Sequence, residues 1–139
     1  MTLMEEAIRG RVPPSIAQVA GREGIDPAKL ARLVAAGRVV IPANIRRAEL
    51  DPVGIGEMLT VKVNINLGTS QNLDSPEAEV EKALAAVEAG TDALMDLSTG
   101  GDLDLVRRRI LASVKVPLGT VPIYQAAVKK ELTSQGMFD

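Results

Sequence analysis

The stretch VKVNINLGTSQNLDSPEAEVEKALAAVEAGTDALMDLSTGGDLDLVRRRIL, residues 61–111, decides the fold, because its apolar pattern changes period from one segment to the next. Around Val61, Val63 and Ile65, apolar and polar residues alternate as in a β-strand, which puts Asn64 and Asn66 on the opposite side. A helix is expected next. Ser75 suits its N-cap, Pro76 its first position, and Gly90 its terminator, while Glu77 and Glu79 sit beside the positive end of its dipole. Val80, Leu84 and Val87 read as its apolar face. TDALMDLS then reads as a second strand, and DLDLVRRRILAS as a second helix capped by Asp102.

Downstream, VPLGTVPIY reads as a third strand region, and AAVKKELTSQGMFD after Tyr124 suits one more helix. Residues 58–125 thus hold two βα units and a third strand. Strands separated by helices of this length pair in parallel. The expected class is α/β, with the first βα units of a (β/α)8 barrel or part of an open parallel sheet. A closed barrel takes at least about 200 residues. This sequence has 139, so any barrel is incomplete in it.

Upstream the rhythm is helical and interrupted. MTLMEEAIRG suits a short helix stopped by Gly10, and SIAQVAGREG places Ile16, Val19 and Ala20 on one face. DPAKLARLVAAG opens with Asp26 as N-cap and Pro27 at the first position, with Leu30, Leu33 and Val34 as a buried stripe. RVVIPAN is a short extended run ended by Pro42. The expected division is a helical lead-in over 1–57 and a partial barrel segment over 58–139.

Composition limits the chemistry. Apolar residues make up 46% and charged residues 24%, which suits a globular protein with one real core. There is no cysteine and no histidine, so disulfides, thiolate chemistry and imidazole bases are excluded for these residues. Tyr124 and Phe138 are the only aromatic residues, so the core must be aliphatic. The net charge is −2, with eight basic against four acidic residues over 1–48 and eight against fourteen over 49–139. The amino end has early acidic residues and no apolar core region, unlike a secretory signal. No window approaches the roughly 20 apolar residues that span a bilayer. A cytoplasmic location and no membrane partner are expected.

In parallel α/β folds a ligand lies at the carboxyl ends of the strands. Three polar clusters fall there: NINLGTSQN, MDLSTGGD and GTVPIYQ. Asn64 and Asn66 offer amides that donate and accept hydrogen bonds, or that satisfy loop backbone. Ser98, Thr99, Gly100 and Gly101 offer an anion-binding helix start or an ordinary βα turn. STGG lacks the lysine of a phosphate-binding loop, and Asp102 would repel a phosphate. Asp96 is a carboxylate inside an apolar strand, so it must meet a cation, a hydrogen-bond donor or water. It reads equally as a general acid or base and as half of a structural ion pair.

Taken together, VKVNINLGTSQN, EVEKALAAVEAGTDALMDLSTGGDLDLVRRRIL and VPLGTVPIYQA resemble, in order and spacing, the first barrel segment of the phosphomethylpyrimidine synthase family. IRGRVPPSIAQVAGREGIDPAKLARLVAAGRVVIPANI is similar to that family's lead-in, so the resemblance covers about residues 1–127. It implies an amino-terminal segment or truncated relative of a (β/α)8 enzyme of thiamine biosynthesis. That family converts 5-aminoimidazole ribonucleotide to hydroxymethylpyrimidine phosphate by radical chemistry. It uses S-adenosylmethionine, a [4Fe-4S] cluster and a divalent metal, and it forms dimers. Carried over residue by residue, the substrate-contacting positions are Asn66, Met95 and Tyr124, spaced 29 and 29 apart. The family's cluster cysteines, metal-binding histidines and SRGG and GDGLRPG loops lie later than residue 139. No catalytic residue, metal ligand or cofactor is therefore expected in this chain, and no activity from it alone.

Three other readings compete. The family's 5-hydroxybenzimidazole synthase relatives, which make a cobalamin lower ligand, share these motifs. The segment SIAQVAGREGIDPAKLARLVAAG has the form of a helix-turn-helix DNA-binding module, although its second helix offers Lys29 and Arg32 with few amides to read bases. An unfinished barrel would also suit a non-catalytic interaction module, joining the remainder of a barrel or a second copy through its open strand edge.

Overall fold

The local signals for helix ends are met at nearly every boundary. In the computed structural model, residues 1–47 and 49–129 are described, and they form two compact units, Met1–Lys62 and a second beginning at Val63. The expected last helix is described only as far as Lys129, and the rest of its expected length lies outside the described residues.

In the first unit, α1 (Leu3–Ile8) begins with a capping box between Thr2 and Glu5. α2 (Pro14–Glu23) starts on a proline and ends at Gly24 in the left-handed conformation. α3 (Pro27–Ala35) is capped by Asp26, whose carboxylate accepts the Lys29 backbone N–H at 2.8 Å. β1 (Val39–Val40) and β2 (Ile55–Gly56) pair antiparallel, Val39 opposite Gly56. Ile16, Val19, Ala20, Leu30, Val34 and Val39 form the core, with Leu33 at its edge. Each fully buried branched side chain there contributes about 1.5–3 kcal/mol.

The second unit alternates strand and helix. β3 (Asn64–Leu67), β4 (Ala93–Asp96) and β5 (Leu118–Thr120) form a parallel sheet in the order β3-β4-β5. They are separated by α4 (Pro76–Glu88) and α5 (Leu103–Ser113), and α6 (Pro122–Lys129) follows β5. Ser75 and Asp102 cap α4 and α5 as their sequence predicts. Leu67 and Leu94 pack with Ala83 and Ala86 of α4 and with Val106 and Ile110 of α5 in one core. Both helices therefore cover the same face of the sheet. That face holds the rows Ile65-Leu94-Leu118 and Leu67-Asp96-Thr120, and the other face holds Asn66-Met95-Gly119.

For β3 and α4 two expectations need correction. The strand begins at Asn64 rather than near Val61. Val61 is 94% exposed, and Val63 has its N–H taken by the Asp92 carboxylate at 2.7 Å. The helices cover the sheet only from Ile65 onward, so alternation continues upstream without a layer to bury it. The buried face of α4 is Glu79, Ala83 and Ala86, with Val80 at its edge, whereas Leu84 and Val87 are exposed. Two small side chains let α4 lie close to the sheet. The same rotation brings the buried Glu79 carboxylate to the Gly68 N–H at 2.8 Å.

Candidate functional site

The carboxyl end of the parallel sheet is built by two loops that bond to each other. Leu97 N–H donates to the Leu67 carbonyl at 2.8 Å and Thr99 N–H to the Thr69 carbonyl at 2.9 Å, which extends the β3–β4 ladder beyond the strands. The Thr69 hydroxyl donates to the Gly100 carbonyl at 2.7 Å. This closeness demands glycine at two positions. A Cβ on Gly68 would lie 2.5 Å from the Ser98 nitrogen, and Gly68 also has a φ of 147°. On Gly100 it would lie 2.4 Å from the Ser70 carbonyl carbon.

The bonds of Ser98 and Thr99 favour one reading of STGG. The Ser98 N–H is held by the Asp96 carboxylate at 2.9 Å and the Ser98 hydroxyl donates to the same oxygen. Thr69 N–H in turn donates to Ser98 Oγ at 3.0 Å. With the Thr99 N–H also committed, the turn's first donors face inward rather than toward an anion. Asp102 is occupied as a cap, accepting the Leu105 N–H at 2.9 Å. The segment is a βα turn.

Asp96 meets a cation. It is wholly buried at the end of β4, and Arg107 Nε on α5 donates to its Oδ2 at 2.5 Å. Arg107 Nη1 donates to Gln125 Oε1, and Gln125 Nε2 donates to Asp104 Oδ1 at 2.7 Å. Of the two readings of Asp96, the ion pair is the one observed. Sequence reasoning passed over Arg107, because Arg107–Arg109 look like a solvated run. A signal was present: Arg107 lies four after Leu103 and three before Ile110 on the buried stripe, with an unmatched carboxylate on the preceding strand.

Asn66 and Met95 stand directly opposite each other in adjacent strands, on the face opposite the one that α4 and α5 cover. Asn66 is exposed, and its Oδ1 accepts from Asn64 Nδ2 at 3.2 Å, so both amides lie on that face. Met95 is half-buried, and its thioether lies against Gly119 of β5, where a Cβ would stand 3.0 Å from the sulfur. The row thus carries an amide, a soft apolar side chain and a bare backbone. Tyr124 is outside that row. It falls in the first turn of α6 rather than in a strand, two residues after Pro122 starts the helix, and is 41% exposed.

A βα repeat with α4 and α5 on one face of the sheet and a polar and thioether row on the opposite face defines the class: an α/β protein whose candidate site lies at the strand ends. The Radical SAM ThiC family matches residues 2–139, and the chain belongs to that family. It is 58% identical over 137 residues to the phosphomethylpyrimidine synthase of Methanopyrus kandleri, covering 98% of this chain and 31% of that protein. Against the enzyme of the same name from Archaeoglobus fulgidus it is 54% identical over 127 residues, 91% of this chain and 30% of that protein. The Thermococcus gammatolerans phosphomethylpyrimidine synthase is 51% identical over 136 residues, 98% of this chain and 32% of that protein. The chain therefore spans about a third of the length of these relatives.

The family name implies an iron–sulfur cluster and S-adenosylmethionine. The residues of this chain do not fit a cluster, because it has no cysteine or histidine. Among the described residues no three acidic side chains gather into a metal-binding group either. No described helix is long and apolar enough to cross a membrane.

Proposed function

We propose that these residues form the opening βα units of a (β/α)8 barrel and part of its ribonucleotide pocket, in a phosphomethylpyrimidine synthase acting on 5-aminoimidazole ribonucleotide. The observation that carries the reading is the pairing of Asn66 with Met95 on the sheet face opposite the one that α4 and α5 share. In an open doubly wound sheet, helices cover both faces. Here two successive helices share one face, as they do around a barrel, and the other face is left to line an interior. Asn66 supplies an amide that can both donate to and accept from a heterocycle or ribose. Met95 supplies a polarizable surface for a flat ring. Tyr124 supplies a phenol at the strand end.

A cluster would need residues that this chain does not contain, so the part proposed for its own residues is binding and orientation. The strand edges of β3 and β5 are where the rest of the barrel would pair. The relatives' shared name favours the pyrimidine branch over the benzimidazole one. The α2–α3 pair falls inside the family match, which favours a part in the enzyme over a DNA-binding module.

Calorimetric titration with 5-aminoimidazole ribonucleotide tests the reading. Weak saturable binding is expected, reduced about tenfold by Asn66→Ala, the loss of one good hydrogen bond. Equal binding by the native chain and the Asn66→Ala and Met95→Ala variants would place the ligand elsewhere. Turnover is not expected without the cluster-bearing residues.

A further inference from the structure

We infer that Gln125 is a positioning residue for Tyr124, clamped between Asp104 and Arg107 of α5 so that the phenol is aimed from a fixed helix. The inference deepens the ribonucleotide reading and rests on it for the purpose of the aiming. Among the described residues α6 packs only sparsely against the other elements, and Ile123 and Tyr124 in its first turn are both exposed. Among its described residues apolar burial is limited to the half-buried Ala127 and Val128, too little alone to set the rotation of the first turn. The polar bonds of Gln125 can.

The fit of that side chain is specific to an amide. Its oxygen accepts from Arg107 Nη1, and its nitrogen donates to Asp104 Oδ1 at 2.7 Å. A carboxylate in its place would face Asp104, and a cation would face Arg107. Asp104 and Arg107 lie three apart on α5, on neighbouring turns, so they hold the two ends of one amide. Arg107 is itself fixed by the buried Asp96, which the Ser98 N–H and hydroxyl also hold. Successive helix positions are about 100° apart, so fixing Gln125 fixes the direction of Tyr124.

The clamp also explains why a carboxylate occupies an apolar strand. Met95 and Asp96 are consecutive, so they point to opposite faces of β4. Met95 lies on the face opposite α4 and α5, and Asp96 anchors the clamp from the face they cover. One strand end thereby sets the positions of two candidate contact residues.

The sequence supplies its own probe, because Tyr124 is the only tyrosine. The chain labelled with 3-fluorotyrosine gives a single fluorine resonance. Gln125→Met keeps the length of the side chain and removes both bonds. It is expected to move that resonance at least halfway toward free 3-fluorotyrosine while circular dichroism retains the native helix signal. Gln125→Glu, which keeps only the Arg107 bond, should fall between the two. If Gln125→Met loses its helical signal, Asp104→Ala takes its place, and an intermediate shift is expected. A resonance unmoved in the folded variants overturns the clamp. Addition of 5-aminoimidazole ribonucleotide is a separate arm. A native resonance that ignores the ligand, together with a shifted Gln125→Met resonance, upholds the clamp and sinks the substrate reading.

Discussion

Asp96 and Arg107 form an ion pair of 2.5 Å in which the carboxylate is wholly buried and the guanidinium side chain is only 12% exposed. Such a pair does not guarantee net stability, since both charges have left water. Removing one partner is costly all the same, because the other stays behind uncompensated. Asp96→Ala is expected to destabilise the chain by about 3–5 kcal/mol in urea unfolding. The double change Asp96→Leu with Arg107→Met should cost less than Asp96→Ala alone. Additive losses from the two single changes would show that the residues are not energetically coupled.

Two glycines of opposite meaning test the packing of the loops. A Cβ on Gly100 would meet the Ser70 carbonyl carbon at 2.4 Å and its oxygen at 2.5 Å, and backbone atoms cannot swing aside as a side chain can. Gly100→Ala should therefore cost about 1–3 kcal/mol, the range for forced overpacking. Gly21 lies exposed inside α2 with open space where its Cβ would be. Gly21→Ala should stabilise by about 0.5–1 kcal/mol, read as a raised thermal midpoint. A neutral Gly100→Ala would mean that the two βα loops separate easily.

Much of this fold is written in local signals. Asp26, Ser75 and Asp102 each cap the helix that their sequence predicts, because a short polar side chain before an apolar period has few other uses. The carboxyl-end location of Asn66 and Met95 is legible for the same reason, since strand and helix alternate clearly. The rotation of α4 is not legible. Both possible stripes, 79-83-86 and 80-84-87, have helical spacing, and the larger side chains favour the wrong one. The choice depends on how closely the helix approaches the sheet and on a backbone N–H at Gly68, both of which are tertiary facts. The clamp on Gln125 is hidden similarly, because it joins residues 96, 104, 107 and 125 across three elements.

The observed rotation makes a direct comparison possible. Ala83 is wholly buried between α4 and the sheet, whereas Leu84 is 48% exposed. Ala83→Leu should cost about 1–3 kcal/mol by overpacking, and Leu84→Gln should fall within about 0.5 kcal/mol of neutral. The reverse ranking in urea midpoints would restore the stripe of Val80, Leu84 and Val87.

Acid should expose the contribution of Glu23. Burial acts to raise its carboxyl, but the Lys62 ammonium together with the Thr60 N–H and hydroxyl outweighs it and holds the group below the usual carboxylate range. Lys62 Nζ stands 2.8 Å from Oε1, and the Thr60 N–H donates to Oε2 at 2.8 Å. A carboxyl depressed in the folded state binds its proton more readily when unfolded, where its value is near 4.3. Its stabilisation is therefore fully present above that value and is lost as pH falls through the lower folded value. Glu23→Gln removes the charge at every pH. The gap in urea midpoint between the native chain and Glu23→Gln should be constant from neutral pH down to about 5. It should then shrink as acid protonates the native carboxylate, and the comparison isolates this group because every other carboxylate is common to both chains. A gap that persisted unchanged into strong acid would show that Glu23 acts through packing and neutral hydrogen bonds rather than through its charge.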